Sequence, residues 1–306
     1  MTTHDTNVAV ALSSYCGERY LSEQIDSVLN QNLPSDVSLT LYIRDDGSTD
    51  GTVSLLDTYN SNPNIQIIKG HNLGVVGSFF DCMKAIPETY DYIALCDQDD
   101  IWMPDKLSRA LACFRTTDIH TPQLYCSEYF FCDENMENPV RSKLNSRGIY
   151  FELMLFDNPA SGNTMLLNRA LVNLVLKADP AKVYCHDWWI ALVASALGEV
   201  FFDSNPSLYY RRLTTSVSPT GSNPINLLKY RIDTFLKSDG LSRISNQIAH
   251  FSATYKEDLT QRQINVLNTF IRGSRLSMAT FPERLRGTIA GELALRILFL
   301  LGRFKF

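Results

Sequence analysis

The chain has 306 residues, of which 45% are hydrophobic and 20% charged, and its formal net charge at pH 7 is −5. This composition is typical of a folded globular protein and excludes a disordered, collagenous or coiled-coil chain. The acidic balance also argues against a nucleic-acid partner, which requires a basic surface. Because single cores stop growing near this length, we expect one large domain with an additional region.

The cysteines and the apolar runs predict the cellular compartment. The seven cysteines are odd in number and form no Cys-x-x-Cys pair, so we expect reduced thiols in a cytoplasmic protein. No apolar segment follows Met1, as a signal peptide would require. The longest uncharged apolar run near the end, residues 297–302, is far shorter than the ~20 residues of a membrane-spanning helix.

The first two thirds of the chain alternate β-branched runs with helical patterns, which predicts an α/β fold with βαβ units and a mostly parallel sheet. The first four strands are predicted at residues 8–12, 39–43, 65–68 and 92–95, with helices at 20–29, 55–59 and 76–85 between them. Further strands of a mixed sheet are expected at 125–131, 164–167 and 200–202, with a helix at 188–197.

Near residue 219 the pattern changes to long helical stretches without a strand signal, at 227–236, 264–271 and 285–301. We therefore divide the chain into an α/β domain, residues 1–218, and a helical C-terminal region, residues 219–306. The end of this region is basic, with only Glu283 and Glu292 as acids from residue 272 onward. Its cations are Arg272, Arg275, Arg284, Arg286, Arg296, Arg303 and Lys305.

Polar segments follow each of the first four predicted strands, at residues 13–17, 45–50, 70–74 and 97–100. In sheets of this type the ligand lies beyond the carboxyl ends of the strands. No Gly-x-Gly-x-x-Gly follows the first strand and no P-loop motif occurs, so neither mode of phosphate binding is indicated.

Asp97, Asp99 and Asp100 place several carboxylates at the end of the fourth strand. Their mutual repulsion destabilises the site unless a cation is bound, and Mg²⁺ or Mn²⁺ prefers such oxygen ligands together with water and substrate phosphates. The alternative is a solvated acidic turn that precedes a helix beginning near Pro104. The residues alone leave both interpretations open.

Asp45 and Asp46 end the second predicted strand, ahead of a glycine turn. A carboxylate in this place can accept the N3–H of uracil or thymine, a donor that cytosine lacks. The alternative interpretation is a turn in which Ser48 or Asp50 caps the next helix. That alternative does not explain two aspartates together at the strand end.

Residues 185–189 open a helix with Asp187, Trp188 and Trp189. The structural interpretation makes Asp187 an N-cap and buries both tryptophans. Adjacent residues cannot both face one side of a helix, so one tryptophan should border a cleft or an interface. A carboxylate beside an aromatic platform suits a general base that accepts a proton from a sugar hydroxyl.

With these strand ends in view, the sequence resembles glycosyltransferase family 2, the inverting enzymes of the GT-A fold, over about residues 7–215. The matching segments are 13–18, 45–52, 72–74, 97–102, 162–165 and 186–189. Asp-Gln-Asp-Asp-Ile-Trp at 97–102 and His-Asp-Trp-Trp at 186–189 look most similar to bacterial rhamnosyltransferases of cell-wall or capsular polysaccharide synthesis.

The resemblance implies a GT-A domain, a Rossmann-like mixed sheet flanked by helices, that transfers L-rhamnose from dTDP-rhamnose to a polysaccharide or lipid-linked glycan. Ser13, Tyr15 and Asp46 would hold the nucleoside, Tyr15 by stacking and Asp46 through N3. Asp97 and Asp99 would form the DxD element. Asp97 would contact the nucleotide, and Asp99 would ligate the Mn²⁺ or Mg²⁺ that bridges the diphosphate.

The resemblance also implies that Asp187 is the catalytic base and that Trp188 borders the acceptor. Many family members carry a His shortly after a Tyr-Arg pair, and Leu213 stands in that place here. Arg211 or Arg212 would then neutralise the diphosphate directly. The alternative is that both arginines solvate a loop.

Residues 285–306 mix cations with many Leu, Ile and Phe residues. We expect this segment to lie on the inner face of the plasma membrane, where a lipid-linked acceptor would be found. The alternative is a core or oligomer helix. Two other functions compete with sugar transfer: a degenerate GT-A domain acting as a scaffold or glycan-binding partner, and a sugar-1-phosphate nucleotidyltransferase.

Overall fold

The computed structural model describes residues 6–114, 118–145, 147–212 and 240–304. Its strands are β1 (Thr6–Ser14), β2 (Val37–Asp45), β3 (Ile65–Lys69), β4 (Tyr92–Cys96), β5 (Ile101–Trp102), β6 (Gln123–Ser127), β7 (Phe130–Cys132), β8 (Val140–Arg141), β9 (Leu166–Asn168), β10 (Glu199–Asp203) and β11 (Leu208–Arg211). Its α-helices are α1 (Leu21–Leu29), α2 (Thr52–Asp57), α3 (Gly74–Ala85), α4 (Lys106–Phe114), α5 (Phe151–Met154), α6 (Arg169–Val175), α7 (His186–Leu197), α8 (Gly240–Thr254), α9 (Gln261–Ile271), α10 (Arg275–Ala279) and α11 (Ile289–Leu300).

Seven strands form the central sheet in the order β10-β6-β9-β4-β1-β2-β3. β9 runs antiparallel to both of its neighbours, and the other pairs in this sheet are parallel. A second sheet, in the order β5-β11-β7-β8, lies beside it and is also mixed. The α/β class with a mixed sheet is therefore confirmed.

Both faces of the central sheet are covered, so its middle strands are apolar on both sides. In β1 the side chains of Val8, Val10 and Leu12 point into the core shared with α1, α2 and α4. Ala9 and Ala11 point to the opposite core, shared with α3, α7 and the C-terminal helices. The small alanines on that face allow α3 to lie close to the strand.

The predicted strands and helices of the first 100 residues are confirmed with boundary shifts of a few residues. The strand predicted over 125–131 is two strands, because β6 ends at Ser127 and β7 begins at Phe130 in the second sheet. The helix predicted at 227–236 and the domain boundary at 218/219 lie outside the described residues. In the described parts of the chain, no helix is long and apolar enough to cross a bilayer.

The C-terminal helices pack on the α/β domain through one continuous apolar core. Phe156, which follows α5, is 1% exposed. Its ring centroid lies 4.8 Å from that of Phe270, 5.3 Å from Phe299 and 5.6 Å from Phe304. These partners belong to α9, α11 and the segment after α11. The same buried side chains therefore stabilise both the helical region and the α/β domain.

We predict that Phe156→Ala lowers the free energy of unfolding by about 3–5 kcal/mol, the usual loss for deleting a buried phenyl ring. The loss should affect both regions together, in one urea transition followed by both fluorescence and circular dichroism. Val140→Ala is the control, because Val140 is 64% exposed and a surface change costs only about 0.5 kcal/mol. Two separate transitions in the parent protein would contradict the shared core.

Candidate functional site

The carboxyl ends of β1, β2 and β4 lie level at one edge of the central sheet. Ser14 pairs with Asp45, the last residue of β2, and Leu12 pairs with Cys96, the last residue of β4. The polar segments after these strands therefore begin side by side. The carboxyl ends of these strands, where a ligand is expected in such sheets, thus form one edge.

Hydrogen bonds join the loops that follow β1 and β2. The Cys16 amide donates to Ser48 Oγ at 2.9 Å, and the Gly17 amide donates to Thr52 Oγ1 at 2.8 Å. Gly51 N–H donates to the Glu18 carboxylate at 3.0 Å. These contacts fix the loop that carries Tyr15, a residue that is 48% exposed.

Gln98, between the two aspartates of the DxD element, clamps this loop from the β4 side. Its Oε1 accepts from Ser14 Oγ at 3.0 Å and from the Tyr15 amide at 2.9 Å. Its Nε2 donates to the Tyr15 carbonyl at 3.1 Å. A Cβ atom at Gly17 would lie 2.3 Å from Gln98 Oε1, so the glycine makes room for the clamp. Sequence reasoning missed Gln98, because its partners are more than 80 residues away.

Asp46 lies at the β2 end but is 3% exposed. Its Oδ1 accepts from the Leu73 amide at 2.8 Å and from the Arg44 guanidinium, and its Oδ2 accepts from the Gly74 amide at 3.0 Å. The carboxylate thus ties β2 to the start of α3. This arrangement differs from the predicted N3 contact, because the peptide amides and Arg44 have already engaged both oxygens. Asp45 keeps one buried oxygen, Oδ1, without a partner.

Ser13 belongs to the same network as Asp46. It is half-buried at the end of β1, and its hydroxyl donates to Ser78 Oγ on α3 at 2.6 Å. Ser78 Oγ also accepts from Arg44 Nη1 at 3.1 Å. Ser13 and Asp46 are therefore linked through Ser78 of α3 and Arg44.

The aspartates after β4 crowd negative charge into a poorly solvated place. Burial raises the pKa of Asp97 to about 7, and the charges of Asp99 and Asp187 add to that rise. Burial also raises the pKa of Asp99, although Arg211 opposes this effect. The pKa of Asp100 is raised well above its usual value by burial and by its two acidic neighbours.

Asp187 lies close enough to the DxD element for its charge to raise the pKa of Asp97. It occupies the first turn of α7, and the N-cap residue is Cys185 rather than Asp187. Asp187 Oδ1 accepts from Cys185 Sγ at 2.9 Å and from the Trp188 amide at 2.6 Å, and Oδ2 accepts from the Gly162 amide at 3.3 Å. The side chain is half-buried and held from two sides.

The segment around Gly162 connects Asp187 to the loop after β4 that carries Asp97, Asp99 and Asp100, which we call the acidic loop. Asn163 Nδ2 donates to Asp100 Oδ2 at 2.6 Å, while the Gly162 amide donates to Asp187. Lys106 Nζ donates to the Asn163 carbonyl at 3.1 Å, and burial lowers the pKa of this lysine to about 7. A Cβ atom at Gly162 would lie 2.8 Å from His186 Nε2 and 3.2 Å from Asp187 Cβ. Gly162 therefore lets the segment approach α7.

The two tryptophans of α7 are both buried. Trp188 is 8% exposed and its Nε1–H donates to the Met154 carbonyl at 2.5 Å. This position differs from the predicted acceptor border, because the indole points into the core beside α5. Trp189 faces the helical region, where it stacks on His250 of α8 at 5.2 Å. The prediction that one tryptophan borders a cleft or an interface is therefore wrong, because both belong to the same core.

Arg211 is 4% exposed and lies against the acidic loop. Its Nε donates to the Asp99 carbonyl at 3.0 Å, its Nη1 donates to the Glu134 carbonyl at 2.6 Å, and its Nη2 pairs with Glu23. All three guanidinium nitrogens thus have protein partners. This differs from the predicted diphosphate role and makes Arg211 a support of the loop.

Arg212 places its guanidinium over the Phe131 ring, 4.8 Å from the ring centroid. Its backbone amide donates to the Cys132 carbonyl at 3.0 Å. Leu213, the residue in the place of the family histidine, lies outside the described residues.

The donors of the acidic loop fit a hard divalent cation that also binds substrate phosphates. In residues 6–114, 118–145, 147–212 and 240–304, no three His, Cys, Asp or Glu side chains form a ready metal cage. Mg²⁺ and Mn²⁺ sites of nucleotide enzymes often use only one or two carboxylates, with phosphate and water completing the shell. Burial and then the charges of Asp99 and Asp187 raise the pKa of Asp97, so a cation at this place would favour its ionised form.

Comparisons with known proteins agree with this geometry. The model of the family described as glycosyl transferase family 2 matches residues 9–170, more than half of the chain. The chain belongs to glycosyl transferase family 2. The matched segment contains the loops after β1, β2 and β4 and ends before Asp187.

This glycosyltransferase is 27% identical over 215 residues to the dTDP-rhamnosyl transferase RfbG of Shigella flexneri, an alignment that covers 66% of this chain and 71% of RfbG. S. aureus TarS 1–349 in complex with UDP-GlcNAc aligns with 97% of this chain and 92% of its own, at a TM-score of 0.56 and 15% identity. The mannosyltransferase PcManGT from Pyrobaculum calidifontis, in complex with GDP-Man and Mn²⁺, aligns with 97% of this chain and 87% of its own, at a TM-score of 0.51 and 15% identity. These structures establish the GT-A fold.

We predict that Gln98→Ala weakens binding of a nucleoside diphosphate by about tenfold, because the Tyr15 loop loses hydrogen bonds worth roughly 1–3 kcal/mol in total. Isothermal titration with dTDP measures the effect. Gln66→Ala is the matched control, since Gln66 is an exposed residue of β3. Equal affinity of parent and Gln98→Ala would show that the clamp does not shape the nucleotide site.

Proposed function

We propose that this glycosyltransferase moves L-rhamnose from dTDP-rhamnose to a glycan acceptor with inversion at the anomeric carbon. The observation that carries the proposal is the convergence of Asp97, Asp99 and Asp187 at the strand edge that also bears the exposed Tyr15. The likeness to a protein named dTDP-rhamnosyl transferase supports the choice of donor.

The nucleoside is proposed to bind over the loops after β1 and β2. Tyr15 offers an exposed ring on which a pyrimidine can stack. Ser13 and Asp46 lie behind it in the network around Ser78. For the N3–H contact, Asp46 must exchange one of its amide donors, or the unpartnered Oδ1 of Asp45 must accept the hydrogen bond instead.

The diphosphate is proposed to lie at the acidic loop, with Asp97 against the nucleotide and Asp99 as the protein ligand of Mn²⁺ or Mg²⁺. Bound there, the cation supplies charge stabilisation for the departing nucleoside diphosphate. Arg211 holds the Asp99 carbonyl, so its proposed part is to position the loop. Arg212 is proposed as a second cation near this edge, held by Phe131.

Asp187 is proposed as the general base. An acceptor hydroxyl attacks the anomeric carbon from the side opposite the diphosphate, its proton passes to the Asp187 carboxylate, and the bond to the diphosphate oxygen breaks. The contacts from Cys185, Trp188 and Gly162 fix the carboxylate in place. A positioned base typically supplies about 10²–10⁴-fold of the rate.

The acceptor is proposed to be a polysaccharide or a lipid-linked glycan that approaches at the α7 side of the site, from a membrane surface. Trp188 would contribute indirectly, because its buried indole orients the turn that carries Asp187.

We predict that Asp187→Asn lowers kcat for sugar transfer by about 10²–10⁴-fold, because the amide cannot accept the proton. Binding of dTDP-rhamnose should change little, since Asp187 is proposed to meet the acceptor. Transfer to an acceptor glycan is followed by chromatography of the product, and Asp36→Asn is the matched exposed control.

A panel of dTDP-rhamnose, UDP-GlcNAc, UDP-glucose and GDP-mannose tests the donor by thermal stabilisation of the parent protein. We expect the largest shift with dTDP-rhamnose. Full activity of Asp187→Asn would show that a different residue is the base. No sugar transfer by the parent protein would indicate a scaffold instead of an enzyme. Consumption of dTTP and rhamnose 1-phosphate with release of pyrophosphate would indicate a nucleotidyltransferase.

We predict that Asp99→Asn removes the effect of Mn²⁺ on nucleotide binding. In the parent, Mn²⁺ should enlarge the thermal shift caused by dTDP, and in the variant the shift should be the same with and without the metal. Without ligand, the variant should unfold at the same temperature as the parent or higher, because one of the crowded carboxylates is gone. If the thermal shift that dTDP causes in the parent protein is unchanged by Mn²⁺ and by EDTA, metal-assisted binding is contradicted.

A further inference from the structure

Helix α11 turns its apolar side chains outward and its charged side chains inward. All its exposed residues, together with the following Leu301, are aliphatic. We call this set the apolar stripe: Ile289, Ala290, Leu293, Ala294, Ile297, Leu300 and Leu301. The five large members are each between 52% and 70% exposed. At about 100° per residue, the stripe covers one continuous face of the helix.

The two charged residues of α11 are committed to the protein interior. Glu292 Oε2 accepts from the Leu285 and Arg286 amides at 2.8 Å each, and Glu292 Oε1 pairs with Arg296. Arg296 also donates to the Phe281 carbonyl at 2.7 Å. These bonds hold the chain turn before α11, so neither side chain is available to cover the stripe.

The inward residues revise the sequence-based picture of a basic tail. Arg284 and Arg286 donate to backbone carbonyls, and Phe299 and Phe304 are core residues. The exposed apolar surface of this region is therefore mainly the outer face of α11. Leu276 of α10, which is 65% exposed, adds to the apolar surface of this region.

Cations accompany the stripe. Arg272, Arg275 and Arg303 are exposed in this region, whereas the partly exposed Glu283 pairs with Arg262. A Cβ atom at Gly302 would lie 2.4 Å from Arg275 Nε, so this guanidinium is beside the C-terminal end of α11. Aliphatic side chains without hydrogen-bonding groups, beside cations, complement the boundary between acyl chains and anionic headgroups.

The composition of the stripe favours a bilayer over a second copy of the chain. Its members are all aliphatic, whereas the centre of a protein interface is enriched in aromatic residues, Met and Arg. An in-plane amphipathic helix binds a membrane with a single apolar face and with cations beside it.

We propose that the apolar stripe and Leu276 insert into the interfacial layer of an anionic bilayer, with α11 parallel to the surface and Arg272 and Arg275 toward lipid phosphates. The proposal rests on the proposed function for its purpose, delivery of a lipid-linked acceptor, and gives the membrane partner a defined surface. Vesicle binding requires neither donor nor metal, so it is measured independently of sugar transfer.

The test is co-sedimentation of the full chain with vesicles of phosphatidylethanolamine and phosphatidylglycerol, and with phosphatidylcholine vesicles. We expect binding to the anionic vesicles, and a loss of about tenfold or more for the double variant Leu293→Gln/Ile297→Gln. Arg272→Gln/Arg275→Gln should weaken binding to anionic vesicles only and reduce its salt dependence. Ile119→Gln, an exposed residue far along the chain, is the matched control.

Both double variants change exposed residues, so their thermal unfolding and dTDP affinity should equal those of the parent. The proposal is overturned when the parent stays in the supernatant with anionic vesicles, or when the stripe variant binds them as well as the parent does. A parent dimer that the stripe variant dissociates, detected by light scattering without lipid, would assign the stripe to a second copy instead. Retained dTDP binding in these cases leaves the proposed function intact.

Discussion

The rest of the site depends on the crowding of carboxylates at the carboxyl ends of the central strands. Asp97, Asp99 and Asp100 follow one strand, and Asp187 is brought to the same place by a different part of the chain. Burial and mutual repulsion make this charge costly in the free protein. A cation would offset this cost, so the proposed function couples binding of the anionic nucleotide donor to binding of a cation.

The residues around the aspartates hold the site in shape, and most of them act through the backbone. Gln98 fixes the Tyr15 loop, Asn163 holds Asp100, and the Gly162 amide holds Asp187. Arg211 supports the Asp99 carbonyl from the outer side. Each contact joins segments that are distant in sequence. The framework of the sheet is therefore what brings these site residues together.

Much of this could be predicted from the sequence, because strand ends follow from local patterns. The parallel strands, the polar segments after them and the α/β class needed only the alternation of runs and the position of turn residues. The direction in which a side chain points could not be predicted in the same way, because it depends on residues that are distant in sequence. Arg211 and Trp188 look like ligand-binding residues in the sequence, but partners more than 30 residues away turn both inward.

The same limit applies to the end of the chain. Composition showed a basic and apolar segment, but not which side chains cover the core. Arg296 and Phe299 turn inward, whereas Ile289 and Leu293 face outward, because the carbonyls of residues 281 and 283 and the ring of Phe156 provide their partners. Such long-range contacts have no local signature.

A crystal structure of the protein with Mn²⁺ and an unhydrolysed analogue of dTDP-rhamnose tests the central claim most directly. The account predicts the metal on Asp99, the base over Tyr15, and the Asp187 carboxylate on the face of the sugar opposite the diphosphate, with room for one hydroxyl between them. A donor bound away from the ends of β1, β2 and β4, or an Asp187 carboxylate on the diphosphate side of the sugar, would contradict it.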